Sequence, residues 1–202
     1  MIFDKQLRTA GERLLDIDDK AHKLSAPYAD TLPVKALDVV SKLGDQPELR
    51  TISAVVIAIG TFAGNDRLVR AGARMMIAHE AATAVKDVTK VEVDRTRPRS
   101  ASGRKDKKPK PGNHTAKEKT SFPSGHSAGA IAAARAFSRQ FPEYGSAALG
   151  AAAFIALSQI PRRAHYPTDV AAGVAIGLAA EKAVDLAWEV ARMDERGQSN
   201  RH

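Results

Sequence analysis

Residues 121–130 read SFPSGHSAGA, and the chain continues as IAAARAFSR to position 139. A proline, a serine, a glycine and a histidine stand at the mouth of a run built largely from alanine. Alanine loses no side-chain entropy in a helix, so the run predicts a helix over about 127–139 that packs closely against neighbours. The mouth itself has two readings. In the plain one, Ser124 caps a helix that happens to carry a histidine. In the sharper one, the turn holds an anion: the first N–H groups of a helix have no partner within it, and the dipole favours negative charge there. Gly125 would then let an anion approach the backbone, and His126 would stand where a proton donor is needed. This stretch alone leaves both readings open.

The rest of the chain agrees with a helical fold. Of 202 residues, 44% are hydrophobic but only 5% aromatic, a balance that disfavours strands. The length suits one domain with extensions and suffices for a real core. There is no cysteine, which excludes disulfides, thiolate nucleophiles and cysteine–zinc sites. A net charge of +8 points to an anionic partner: phosphate compounds, nucleic acid or an anionic membrane surface. The opening MIFDKQLRTAGERLLD has early acidic residues and no continuous apolar run, unlike a secretory signal. The longest uncharged run, Tyr144 to Pro161, has 18 residues rich in alanine and glycine, short of the roughly 20 apolar residues of a spanning helix. Composition leaves a soluble bundle and a weakly hydrophobic membrane bundle both open.

Periodicity predicts an all-α fold of about six helices. Residues 1–33 form an amphipathic helix and a linker, interrupted by Pro27 and Pro33; residues 34–195 form the core; residues 196–202 read as a disordered tail. TISAVVIAIGTFAG reads as a buried helix. Arg70, Arg74 and Glu80 on the following helix read as a solvated face. The segment 99–120 is polar, basic and aperiodic, and reads as an exposed or disordered loop. No aromatic residue is interleaved in it, which disfavours nucleic acid as a partner. Thr168 in YPTD reads as the cap of the last helix.

Three clusters carry chemistry. In KVEVDRTRP, Lys90 and Arg97 offer a point charge and a planar fork to an oxyanion, although basic residues near a helix end also serve its dipole. The second cluster is Ser124, Gly125 and His126. In RRAHYPTD, Asp169 lies four residues after His165, a spacing that lets the carboxylate accept a hydrogen bond from one ring nitrogen and leave the other free to attack. Together they are the parts of a phosphoryl-transfer site without a metal.

In this combination the sequence resembles the type 2 phosphatidic acid phosphatase superfamily, whose pattern is K-x6-RP, then PSGH, then SR-x5-H-x3-D. KVEVDRTRP matches the first, residues 123–126 the second, and SQIPRRAHYPTD most of the third, in the right order from Lys90 to Asp169. The resemblance implies that Lys90, Arg97, Ser124 and Gly125 bind phosphoryl oxygens. His165 would attack phosphorus, Asp169 would hold its ring, and His126 would protonate the leaving oxygen and later activate water. No cofactor or metal is implied. The sequence departs from the pattern at Gln159, where the family has arginine; Arg163 is the expected substitute, with Arg162 as its competitor. The implied fold is a helical bundle with the active site in its core, and the implied activity is hydrolysis of a phosphomonoester or diphosphate, on a lipid phosphate of phosphatidic acid or polyprenyl diphosphate type, by an integral protein of the bacterial inner membrane. The alternatives are a soluble cytoplasmic acid phosphatase and a degenerate phosphatase that binds anions or lipid; a haloperoxidase is disfavoured by chain length.

Overall fold

The computed structural model describes residues 2–103 and 106–199. Seven α-helices lie within them: α1 (Ile2–Ser25), α2 (Leu32–Ser41), α3 (Gln46–Phe62), α4 (Asp66–Glu92), α5 (Gly125–Gln140), α6 (Gly145–Ser158) and α7 (Pro167–Ser199). Short 3-10 turns join several of them, and two-residue strands β1 (Val93–Asp94) and β2 (Lys110–Pro111) pair antiparallel. The all-α expectation holds. Helix α7 continues to Ser199, so it takes in the first residues of the expected tail; 200–202 lie outside the described residues.

Helices α4, α5 and α7 form the centre, with α3 on α4, α6 on α5 and α1 across the start of α7. The central seam is made of small side chains: Ala78 and Ala82 from α4, Ala128, Ala132, Ala133 and Ala136 from α5, and Ala180 from α7, around Leu49 and Met75. A methylene-sized group contributes only about 0.8 kcal/mol on burial, so this core gains from close approach over many atoms rather than from bulk. The α5–α7 crossing shows how close. A Cβ at Gly173 would sit 2.4 Å from the Ser124 carbonyl oxygen, and one at Gly177 would sit 2.5 Å from that of Ala128.

Two helix readings need correction. Only Leu49, Ser53 and Gly60 of α3 are buried, while Val55, Ile59 and Phe62 face outward. The helix was expected to be buried, but beyond Leu49 at its start the contact is made by small residues and the large ones face outward. Arg74 is not on a solvated face: it is 4% exposed, ion-paired with buried Asp185, and its guanidinium lies 5.3 Å from the Trp188 ring centroid.

The basic segment is also more ordered than expected. Arg95 and Arg97 N–H donate to the carbonyls of Lys119 and Glu118, and the Ser121 N–H donates to the Arg95 carbonyl. Lys107 is buried against Asp19 of α1, and His114 pairs with Asp94. These contacts press the segment onto the end of the bundle.

Candidate active site

At that end a pocket of about 480 Å³ opens where the C-terminus of α4, the N-terminus of α5 and residues 44–48 meet. Its lining includes Lys86, Lys90, Arg97, Lys117, Gly125, His126 and His165. The three distant clusters therefore converge on one cavity.

His165 is 2% exposed and stands just before α7. Its Nδ1 lies 2.6 Å from the Ser121 carbonyl oxygen and 3.7 Å from Asp169 Oδ2. A carbonyl only accepts, so Nδ1 carries the hydrogen and Nε2 keeps its lone pair. Nε2 faces Arg97 Nη1 at 3.3 Å, on the pocket side. Burial pushes the ring down to about 4, against the opposing pull of Asp169, so it is neutral at pH 7.

Asp169 is fully buried, and its place follows from local helix chemistry. It is the third residue of α7, and its Oδ2 accepts the Tyr166 N–H at 2.9 Å, the reach-back of a capping box. The same oxygen accepts from Ser121 Oγ at 2.6 Å, while Oδ1 accepts from Arg95. Ser121 thus binds both members of the pair, with its hydroxyl on the carboxylate and its carbonyl on the imidazole. Thr168, expected as the cap, is the second residue of α7, with Tyr166 in the capping position; its N–H donates to Asp18.

His126 lies in the first turn of α5, and Asp45 Oδ1 is 2.8 Å from its Nε2. Burial first, then the charges of His165, Arg162, Arg97 and Lys90, push His126 down to about 3. Burial and then Arg97 and Lys86 push Lys90 down to about 8; burial and then Arg99 push Arg97 down to about 10. These cations repel one another in a half-buried cavity, and an oxyanion among them would offset that cost. Asp45 and Glu48 add an acidic edge, and Asp45 is raised by burial and by Glu48.

Two expected residues stand elsewhere. Ser124 is fully buried; its Oγ accepts from Ser127 N–H and Oγ, and its own N–H donates to the Asp169 carbonyl. It is the cap of α5, as in the plain reading, and does not line the pocket. Arg163 has φ 54° and donates through Nη2 to the Pro98 carbonyl, away from the cavity. Gln159 is buried, donates to the Ile155 carbonyl and accepts from Arg162 Nη1 at 3.0 Å. Arg162 does not line the pocket, but its charge is among those that depress His126. Lys86 and Lys117 were not anticipated. Lys86 was legible as the residue one turn before Lys90 on the same helix face; Lys117 was hidden in an aperiodic basic run.

A bundle that brings a buried histidine–aspartate pair, a second histidine and clustered cations to one helix mouth defines a helical oxyanion site. The profile of the PAP2 superfamily matches residues 71–189, and the chain belongs to that superfamily. Two lipid A 1-phosphatases, from Rhizobium etli and Rhizobium johnstonii, are each 44% identical over 57 residues, 28% of this chain. Those matches span only 25% and 23% of the relatives' own lengths. The fold is similar to the crystal structure of the first transmembrane PAP2 type phosphatidylglycerolphosphate phosphatase from Bacillus subtilis. The TM-score is 0.62 at 22% identity, covering 85% of this chain and 84% of that one.

Proposed function

We propose that this protein is a metal-independent phosphatase that hydrolyses a lipid phosphate through a phosphohistidine. The observation that carries the reading is His165 Nε2, the unprotonated ring nitrogen, 3.3 Å from Arg97 Nη1 in a pocket that Lys86, Lys90 and Lys117 also line. Lys90, Arg97 and the N-terminus of α5 at Gly125 bind the phosphoryl oxygens. His165 Nε2 attacks phosphorus; the N–P bond forms as the bond to the leaving oxygen breaks, and His126 gives that oxygen its proton. A water then attacks phosphorus, His126 takes a proton from it, and the N–P bond breaks to release phosphate. His126 must be protonated for the first step. The bound dianion raises its pKa from the depressed value, the reverse of what the surrounding cations do.

The lipid part of the reading draws support from the relatives' names and from the surface. Leu43, next in sequence to the pocket-lining residues 44–48, is exposed, as are Val40 on α2 and Val55 and Ile59 along α3. Large exposed apolar side chains of this kind mark a surface that meets lipid or a partner. No helix among the described residues is long and apolar enough to cross a membrane. We therefore propose association with a membrane surface, tested by flotation with vesicles containing an anionic lipid.

The direct test is phosphate release from a panel of phosphatidic acid, phosphatidylglycerol phosphate, lipid A 1-phosphate, a polyprenyl diphosphate and soluble esters. Turnover is expected to survive EDTA, to be inhibited by tungstate, and to be lost in His165→Ala. Turnover abolished by chelation, or retained in His165→Ala, would sink the mechanism.

A further inference from the structure

Arg95 lies two residues before Arg97, yet it does not face the pocket. It is 1% exposed and stands behind Asp169. Its Nη1 donates to Asp169 Oδ1 and to Thr168 Oγ1 at 2.7 Å, its Nη2 donates to Asp18 Oδ2, and its Nε donates to the Lys107 carbonyl at 2.7 Å. The Tyr166 ring covers it, with 4.1 Å from the guanidinium carbon to the ring centroid. Asp18 comes from α1. Besides Arg95 it accepts Thr168 N–H at 3.1 Å and Thr168 Oγ1 at 2.6 Å, and it is 1% exposed.

Two buried carboxylates thus share one buried guanidinium, which donates from all three of its nitrogens. Such a group is expensive to bury and specific in geometry, so its place matters more than its net stability. Its place is the far side of the carboxylate whose near side serves Ser121 and the His165 ring. A planar fork reaching both Asp18 and Asp169 fixes which way Asp169 presents Oδ2; a single ammonium cannot span them in that way.

We propose that Asp18 and Arg95 are positioning residues for His165. Helix α1, which lies outside the family-matched region 71–189, is by this account a working part of the active site. The chain of contact runs Asp18–Arg95–Asp169–Ser121–His165: α1 holds the guanidinium, the guanidinium holds the carboxylate, and the carboxylate with Ser121 holds the imidazole as the Nδ1–H tautomer with Nε2 unprotonated. This rests on His165 being the nucleophile of the proposed phosphatase.

The test uses the full chain with Asp18→Asn, Arg95→Lys, Arg95→Met and the pair Asp18→Asn/Arg95→Met. p-Nitrophenyl phosphate turnover, tungstate inhibition and melting temperature are measured for each, with ¹⁵N NMR of the His165 ring. In variants still folded at the assay temperature, kcat is expected to fall about ten- to a hundredfold, the cost of a misplaced catalytic group. KM and tungstate inhibition should stay unchanged, because Lys90, Arg97 and Gly125 are untouched. The double variant should lose no more than the worse single one, since both cut the same chain of contact. Arg95→Lys should fail to rescue kcat. The NMR should show one tautomer in the unaltered protein and a mixture in the variants. A lowered melting temperature with kcat and tautomer unchanged would overturn the proposal, as would additive losses. If Arg95→Met does not fold, the near-isosteric Asp18→Asn still decides. If the unaltered protein releases no phosphate, the phosphatase reading has failed, and the tautomer measurement alone still upholds or overturns the clamp.

Discussion

Lys90 is the residue where charge and pH meet. Burial and neighbouring cations bring its ammonium down to about 8, within reach of ordinary assay conditions. Above that pH it loses its proton and the pocket loses a charge-assisted contact worth about 1.5–3 kcal/mol, or roughly ten- to a hundredfold in affinity. Inhibition by tungstate, a dianion throughout the range, is therefore expected to weaken as pH rises through 8. Lys90→Arg should remove that break, and Lys90→Met should bind weakly at every pH. The arginines near Gln159 give a second test. Arg163→Gly, which keeps the positive φ at no steric cost, should leave tungstate inhibition unchanged. Arg162→Ala should weaken it, because Gln159 and Asp38 hold Arg162 on the pocket's side. The sequence shows where the family's arginine is missing, at Gln159, but not where Arg162 and Arg163 point. Adjacent residues are equal in a one-dimensional pattern, and only the turn at Arg163 sends them to different places.

At the scale of elements, the α5–α7 crossing decides whether His126 and His165 can share a cavity. The Ser124 N–H donates to the Asp169 carbonyl at 3.0 Å, so the mouth of α5 and the first turn of α7 are joined directly. Gly177→Ala places a methyl 2.5 Å from the Ala128 carbonyl and must push the helices apart. Overpacking of this kind costs about 1–3 kcal/mol. A fall in melting temperature should be accompanied by a fall in kcat; a normal melting temperature would show that the crossing is looser than described. The helices themselves were legible from alanine content, proline breaks and the TD start signal. Their contact faces were less so. In α3, beyond Leu49, the contact face is made of Ser53 and Gly60 while Val55, Ile59 and Phe62 face outward, because close packing selects small side chains there.

For the whole molecule, the buried histidines set the response to acid. His165 and His126 resist protonation to about 4 and about 3 when folded, against an ordinary 6.5 in the unfolded chain. His79, buried at 1% exposure, is also lowered by desolvation. Below pH 6.5 the unfolded chain binds more protons than the folded one, so stability falls as pH drops from 6.5 towards 4. Melting temperature is expected to decline across that window, and His165→Asn should make the decline shallower. An unchanged slope in that variant would show that the imidazole is not held neutral by the fold.

By itself the sequence determined the helical class, the family, and the three clusters around 90–97, 124–126 and 165–169. Each rests on information local along the chain: helix propensity, capping chemistry, and residue types at fixed spacing. Tertiary structure alone decided that Ser124 caps rather than lines the pocket, that Arg163 turns away, and that Lys86, Lys117 and Asp45 join the cavity. It alone tied Asp18, 151 positions before Asp169, to the same arginine. A buried charge must find its partner wherever the packed helices bring one, and no periodicity in the chain records that meeting.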